Sequence, residues 1–271
     1  MNGLKNEIRA VLYEAPGPKT RRTTNIVTAV SVILLALLAV LVVRRFYVTG
    51  QLDIKYWEFF GKITTWTFLG DGLLGTLEAA LISAALAFVL GFLIMAGRIS
   101  GFKPLSALCA AVTEFTRGVP TLLFIYFFFL VIPTLGIDLA PVLKISLPVT
   151  LSACGVVAEV FRTGVNAVPK GQREAAVSLG LSRTQVFLKI VFPQAFRYVV
   201  PTLIAELVIV LKDTTFAYVV SFPDIMQNAR VLISNYDAML SVYLVVSVIY
   251  ILINYLINRL SVKLAERQGR R

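Results

Sequence analysis

Between Tyr198 and Val220 an apolar stretch carries Glu206, Lys212 and Asp213. Charge in such surroundings costs several kcal/mol unless it is paired, hydrated or used. A carboxylate can hold a cationic group and an ammonium can hold an anionic one, so these residue types can bind a polar, charged ligand. Glu206 and Lys212 are six positions apart, which keeps them from pairing along one helix face. Glu206 would take a ligand's cationic group, and Lys212 would help hold its anionic one. The alternative is an ion network internal to a helix bundle. Asp213 flanks Lys212, and Thr214 and Thr215 add hydroxyls that can satisfy backbone groups where a helix loosens. Two further pairs, Glu114–Arg117 and Glu159–Arg162, are each spaced three apart, so each can neutralise itself on one helix face. Arg117 is also the nearest cation for a second anionic group on such a ligand, and Glu159 completes the candidate binding set.

Other chemistry is excluded. The chain has no histidine, which removes imidazole acid–base catalysis and histidine metal ligation. Cys109 and Cys154 stand singly in apolar sequence, so no metal site is expected. The pattern GxxxxGK[ST] does not occur, so no nucleotide or other cofactor is expected on this chain.

These residues need elements that hold them at depth in a bilayer. The chain has 271 residues, of which 58% are hydrophobic and 15% charged, which points away from soluble, disordered and disulfide-scaffold classes. Six apolar stretches are predicted to span: Ile26–Val43, Gly72–Gly97, one within Leu105–Ile132, Ile145–Gly164, Tyr198–Val220 and Ala238–Asn258. The expected fold is therefore an all-α polytopic membrane protein with both termini on one side. If that side is the cytoplasm, the inner segments hold 18 Lys and Arg against four acids, a net of +14. The outer segments hold six of each sign. The positive-inside rule then sets N-in and C-in, and the overall charge of +11 needs no nucleic acid to explain it. Residues 1–24 read as a cytoplasmic tail, 25–45 as an N-terminal transmembrane helix and 46–70 as an extracytoplasmic interfacial segment. The core is expected over 71–261 and a basic cytoplasmic tail over 262–271. Tyr56, Trp57, Phe59, Phe60 and Trp66 suit an aromatic belt at the membrane surface, or a docking surface. Starting at depth zero near Tyr198, Glu206 lies about 12 Å and Lys212 about 21 Å into the span, which straddles the midplane.

The largest inner loop falls within 165–197. Its central stretch, Gly171–Ala195, reads GQREAAVSLGLSRTQVFLKIVFPQA. Glu174–Leu179 favours helix, Gly180 interrupts it, and Ser182 with Gln185 makes a capping box for a second short helix, which Pro193 ends or leads into the next span. Phe187, Leu188 and Ile190 would cover the bundle. A helix fitted into a partner's groove is the functional reading: Ala175 and Ala176 would permit close approach, and Arg173 and Glu174 would set polar register.

Glu174-Ala175-Ala176, Gly180, Ile190 and Pro193 resemble the EAA loop of ABC importer permeases. Gly171–Gln172, AEVFRTG (158–164), PQAFR (193–197), LKDTTFA (211–217) and TRGVPTLL (116–123) are similar to the polar amino acid subfamily. The resemblance covers about residues 70–261. The extra first span, with VLYEAPGP (11–18), looks like actinobacterial glutamate-uptake permeases. It implies that Gly171, Gln172, Arg173, Glu174, Ala175, Ala176 and Gly180 couple the chain to a separate ATPase. It also implies a second permease subunit, two cytosolic ATPase subunits carrying ATP and Mg, and an extracytoplasmic solute-binding protein. The implied location is the bacterial cytoplasmic membrane, and the implied task is uptake of a polar amino acid, L-glutamate first, with no catalysis by this chain. Glutamine, aspartate or a basic amino acid is the alternative cargo. A secondary transporter would show comparable internal halves, and none is visible. A non-transporting membrane scaffold would not need a charged fifth span.

Overall fold

A computed structural model describes residues 17–269, and every regular element there is helical. The chain forms two units, one ending at Tyr56 and one beginning at Trp57. The first unit contains α1 (Pro18–Val48), a 31-residue helix. It extends beyond Ile26–Val43 at both ends, because Lys and Arg interrupt hydropathy without opposing helix. Most of the expected N-terminal tail, residues 1–16, lies outside the described residues.

The second unit contains α2 (Ile63–Arg98), α3 (Lys103–Gly118), α4 (Thr121–Tyr126), α5 (Pro141–Ala167), α6 (Lys170–Ser178), α7 (Arg183–Val186), α8 (Phe192–Asp213), α9 (Ile225–Tyr236) and α10 (Met239–Gly269). Among the described residues, α1, α2, α5 and the Met239–Leu260 part of α10 are each long and apolar enough to cross a membrane. The third expected span is broken: Lys103–Gly118 and Thr121–Leu135 meet at 95°. Pro120 causes this by pushing Val119 into extended backbone, at φ −88° and ψ 126°. The fifth expected span is α8, whose 22 residues include Arg197, Glu206, Lys212 and Asp213. At its end the chain tightens into a 3-10 turn, Thr214–Val220. α10 continues to Gly269, so the expected basic tail from 262 begins as helix.

α5 lies at the centre, packed against α2, α3 and α8. Small residues let the backbones approach. A Cβ at Gly91 would meet Val157, one at Gly155 would meet Thr116, and one at Gly164 would meet Val199. Hydroxyls supply the cross-links: Ser83 donates to the Ser146 carbonyl at 3.2 Å, and Thr150 donates to the Ser83 carbonyl at 3.3 Å. This is how helices associate where lipid offers no hydrophobic drive. Below that seam, Phe88, Phe92, Phe161, Phe192 and Phe196 contact one another edge-on or tilted.

The aromatic stretch before α2 is only partly a surface belt. Phe59 is buried and stacks on Tyr236 at 4.3 Å, while Trp66 donates to the Phe60 carbonyl at 2.8 Å. The expected orientation has a direct check. In a chain lacking Cys109 and Cys154, a cysteine replacing Gly171 should label only from the cytoplasm and one replacing Asp138 only from outside. Both positions are exposed, and the reverse labelling pattern overturns N-in.

Candidate functional site

α8 presents its two acids to the bundle. Glu206 and Asp213 are seven residues apart, two turns on one face. Glu206 is 8% exposed and lines a cavity of ≈ 360 Å³ whose other walls include Ala84, Phe88, Val157, Phe196 and Leu203. No cation pairs with it among the described residues. Asp213 accepts a hydrogen bond from the Thr121 hydroxyl at 2.9 Å, and that hydroxyl is 2.8 Å from Ser152 Oγ. Thr214 is buried and donates to the Leu211 carbonyl at 2.8 Å, while Thr215 donates to the Lys212 carbonyl at 2.6 Å. Lys212 stands exposed on a different face, without an ion pair among the described residues. Thus the structure brings Glu206 and Asp213 together, and it leaves Lys212 apart from both.

The two expected i,i+3 pairs form, with different character. Glu114 and Arg117 are 3.8 Å apart and both well exposed, a geometry that contributes little. Glu159 accepts from Arg162 Nε at 3.0 Å and also from Arg98 Nη1, on α2, at 2.8 Å. Sequence reasoning missed Arg98, because the partners lie 61 residues apart. Held by two arginines, Glu159 ties α5 to the end of α2 and is not an open carboxylate for a ligand. Arg117 packs over Gly155, with its Cγ 3.0 Å from where a Cβ at Gly155 would stand.

On the side expected to be inner, α6 packs one face on the bundle and leaves the other exposed. Gly171, Gln172, Glu174 and Ala175 are exposed, and so are Val177 and Leu179, the latter at 82%. Gly180 turns the chain with φ +77°, a conformation that favours glycine. Ser182 and Gln185 form both arms of the capping box. Two expectations are corrected here. Arg173 does not present itself outward: its Nη2 donates to the Val165 carbonyl at 2.6 Å, fastening α6 to the end of α5. Ala176 is buried against the bundle, so only Ala175 offers a small outward surface. The second helix is also not a separate short one. α7 runs through a π-turn, Phe187–Val191, directly into α8, with Pro193 in the first turn of α8. Proline is tolerated there because the π-turn just before it already departs from the α-type amide pairing that Pro193 cannot make.

A further element was missed altogether. α9 follows the 3-10 turn, with Asp224 as its N-cap, accepting from the Gln227 amide at 2.7 Å. The D-x-x-Q spacing was the available signal.

These features define a membrane-embedded transport component with an exposed helical attachment on one side. Residues 87–270 match the family described as binding-protein-dependent transport system inner membrane component, and the chain belongs to that family. It is 34% identical over 228 residues to the glutamate transport system permease protein GluD of Corynebacterium glutamicum, covering 82% of each chain. It is also 34% identical over 204 residues to the probable glutamine ABC transporter permease protein GlnP of Bacillus subtilis, covering 74% of this chain and 94% of that one. Among solved structures, an amino acid ABC transporter crystallised with histidines superposes with a TM-score of 0.72 at 23% identity, over 77% of this chain and 98% of that chain. The inward-facing MetNI methionine transporter gives 0.63 at 18% identity, over 76% of this chain and 99% of that one. At those identities the structures show a shared fold.

Proposed function

We propose that this chain is the permease subunit of an ATP-driven importer in a bacterial cytoplasmic membrane, and that its cargo is a polar amino acid, L-glutamate first. The observation that carries the reading is α6, an exposed helix that offers Ala175, Val177 and Glu174 outward at a bend fixed by Gly180. A helix of that kind suits a groove on a cytosolic ATPase. Gly171, Gln172 and Arg173 shape its start, and Arg173 braces it against α5. The chain works with a second permease subunit in a heterodimer, with two ATPase subunits that bind ATP and Mg, and with an extracytoplasmic solute-binding protein. The relatives named for glutamate and glutamine support the cargo class.

Glu206 receives the substrate's ammonium group from within its cavity, with Asp213 and Thr214 setting the end of the same helix. Lys212 and Arg117, exposed and outside that cavity, are the cations that a substrate carboxylate meets at a different point of the path. Alternating access moves this set between the two sides, and ATP binding and hydrolysis on the partners drive it through α6. The test is uptake by the reconstituted complex with labelled L-glutamate, challenged by unlabelled glutamine, aspartate and arginine. Glutamate and aspartate should compete at least tenfold better than arginine. Preferred uptake of arginine would replace the acidic cargo with a basic one, and ATP-independent uptake would remove the ABC reading itself.

A further inference from the structure

α9 is held on α2 by close backbone approach. A Cβ at Gly75 would meet the Pro223 carbonyl oxygen, and one at Gly72 would lie 2.7 Å from Asn228 Nδ2 and 2.8 Å from the Asp224 carbonyl oxygen. Asn228 donates to the Phe68 carbonyl at 2.6 Å, and the Ile225 amide donates to the Thr76 hydroxyl at 3.1 Å. Most of these contacts are with backbone and the Asn228 side chain is itself hydrogen-bonded, so whatever is enclosed at the start of α9 keeps its place while the helix is docked.

Enclosed there is Asp224, 0% exposed. Its Oδ1 caps α9, but its Oδ2 is buried without a hydrogen-bond partner among the described residues, as is Gln227 Oε1. Tyr250, on α10, is near enough to feel the charge of the carboxyl. The elements packed on α9 bring few other titratable groups. α2 carries Asp71 and Glu78, both exposed, the 3-10 turn carries Tyr218, and α10 carries Tyr243 as well as Tyr250. On α9 and at its end, Arg230 and Asp237 are exposed, and Arg230 is turned to the Tyr218 ring and carbonyl. No Lys or Arg pairs with Asp224 among the described residues.

The donor count identifies what is missing. An ionised Asp224 Oδ2 and Gln227 Oε1 are both acceptors, and neither is met by a donor among the described residues. A proton on Oδ2 turns that atom into a donor and removes an unpaired buried charge. We propose that Asp224 is a proton-binding site, through which acidity on its own side of the membrane controls the docking of α9 on the bundle. Burial pushes this carboxyl up to about 7 from its ordinary 3.8. The docked state therefore holds the proton through a range in which the undocked state has lost it. Docking is strongest in acid, weakens as pH rises from about 4 to about 7, and changes little above that. α9 follows the turn that ends α8, so docking fixes the outer end of the helix carrying Glu206 and Asp213. The consequence for uptake rests on the transport reading; the docking equilibrium does not.

The experiment is hydrogen–deuterium exchange of the assembled complex in lipid, read on peptides covering 225–236 and corrected for the intrinsic effect of pH. Protection in the wild type should fall about tenfold between pH 6 and pH 8, as one carboxyl titrating near 7 requires. Asp224→Asn, which keeps the shape and cannot ionise, should hold its protection at both pH values. The wild-type arm needs no substitution, so the test stands even if that variant does not assemble. Protection independent of pH in the wild type overturns the proposal. So does an equal fall in Asp224→Asn, and so does full restoration at pH 8 by sodium chloride but not by choline chloride, which would make the site one for a small cation. None of these outcomes touches the cargo or the ATPase partners.

Discussion

Gly180→Val combined with Glu174→Lys should abolish substrate-stimulated ATP hydrolysis by the assembled complex while leaving the permease in the membrane at normal level. Gly180 has φ +77°, and a Cβ there would meet nothing within 4 Å. The damage from valine is therefore conformational. A β-branched residue in the left-handed region costs roughly 1–3 kcal/mol, and the bend escapes that cost by straightening, which carries α6 away from its docking angle. Glu174→Lys reverses the charge at an exposed position on the helix that would meet the ATPase. Gly180→Asn is the control. Asparagine tolerates this backbone, so coupling should largely survive. Full stimulated hydrolysis in a well-expressed double variant would sink the coupling role of α6.

Glu206→Gln should lower uptake at subsaturating substrate about tenfold or more, since a charge-assisted bond contributes roughly 1.5–3 kcal/mol. Glutamine keeps the shape of the cavity wall, and binding of substrate to the separate solute-binding protein should not change. If Glu206 served only structure, removing an unpaired buried charge would leave transport intact or raise stability. Wild-type uptake at equal expression therefore takes Glu206 out of the site. Lys212→Met separates the remaining roles. Lys212 is exposed and has no ion pair among the described residues, so expression should survive. Uptake should fall more for an acidic than for a neutral amino acid.

What the sequence made legible was what depends on near neighbours. The apolar runs marked the membrane helices, Ser182 and Gln185 marked a helix start, Gly180 marked a turn, and the two i,i+3 pairs were visible as spacings. The position of Pro120 allowed a break, but not its 95° angle, which depends on how the two pieces pack. What stayed hidden lies between distant segments. Thr121 meets Asp213 across 92 residues, and Arg98 reaches Glu159 across 61. Nothing in the sequence marked Asp224 as buried. Its burial comes from Gly72 and Gly75, which in sequence are only two small residues at the start of an apolar run. Arg173 and Ala176 were misplaced for a similar reason. Their helix is short and amphipathic, and only the end of α5 decides which side turns inward.

The unbroken course from α7 through the π-turn into α8 makes this stretch a lever. From Ser182 to Glu206 is 24 residues, about 36 Å of helix. A tilt of about 10° at the inner end would swing the Glu206 carboxylate by about 6 Å, the width of an amino-acid headgroup. The π-turn is the compliant point in that arm, because its wider ring can tighten to an α turn and rotate everything beyond it by a fraction of a turn. Small displacements at the end near Ser182 would thus arrive at the Glu206 cavity amplified as translation and adjustable as twist.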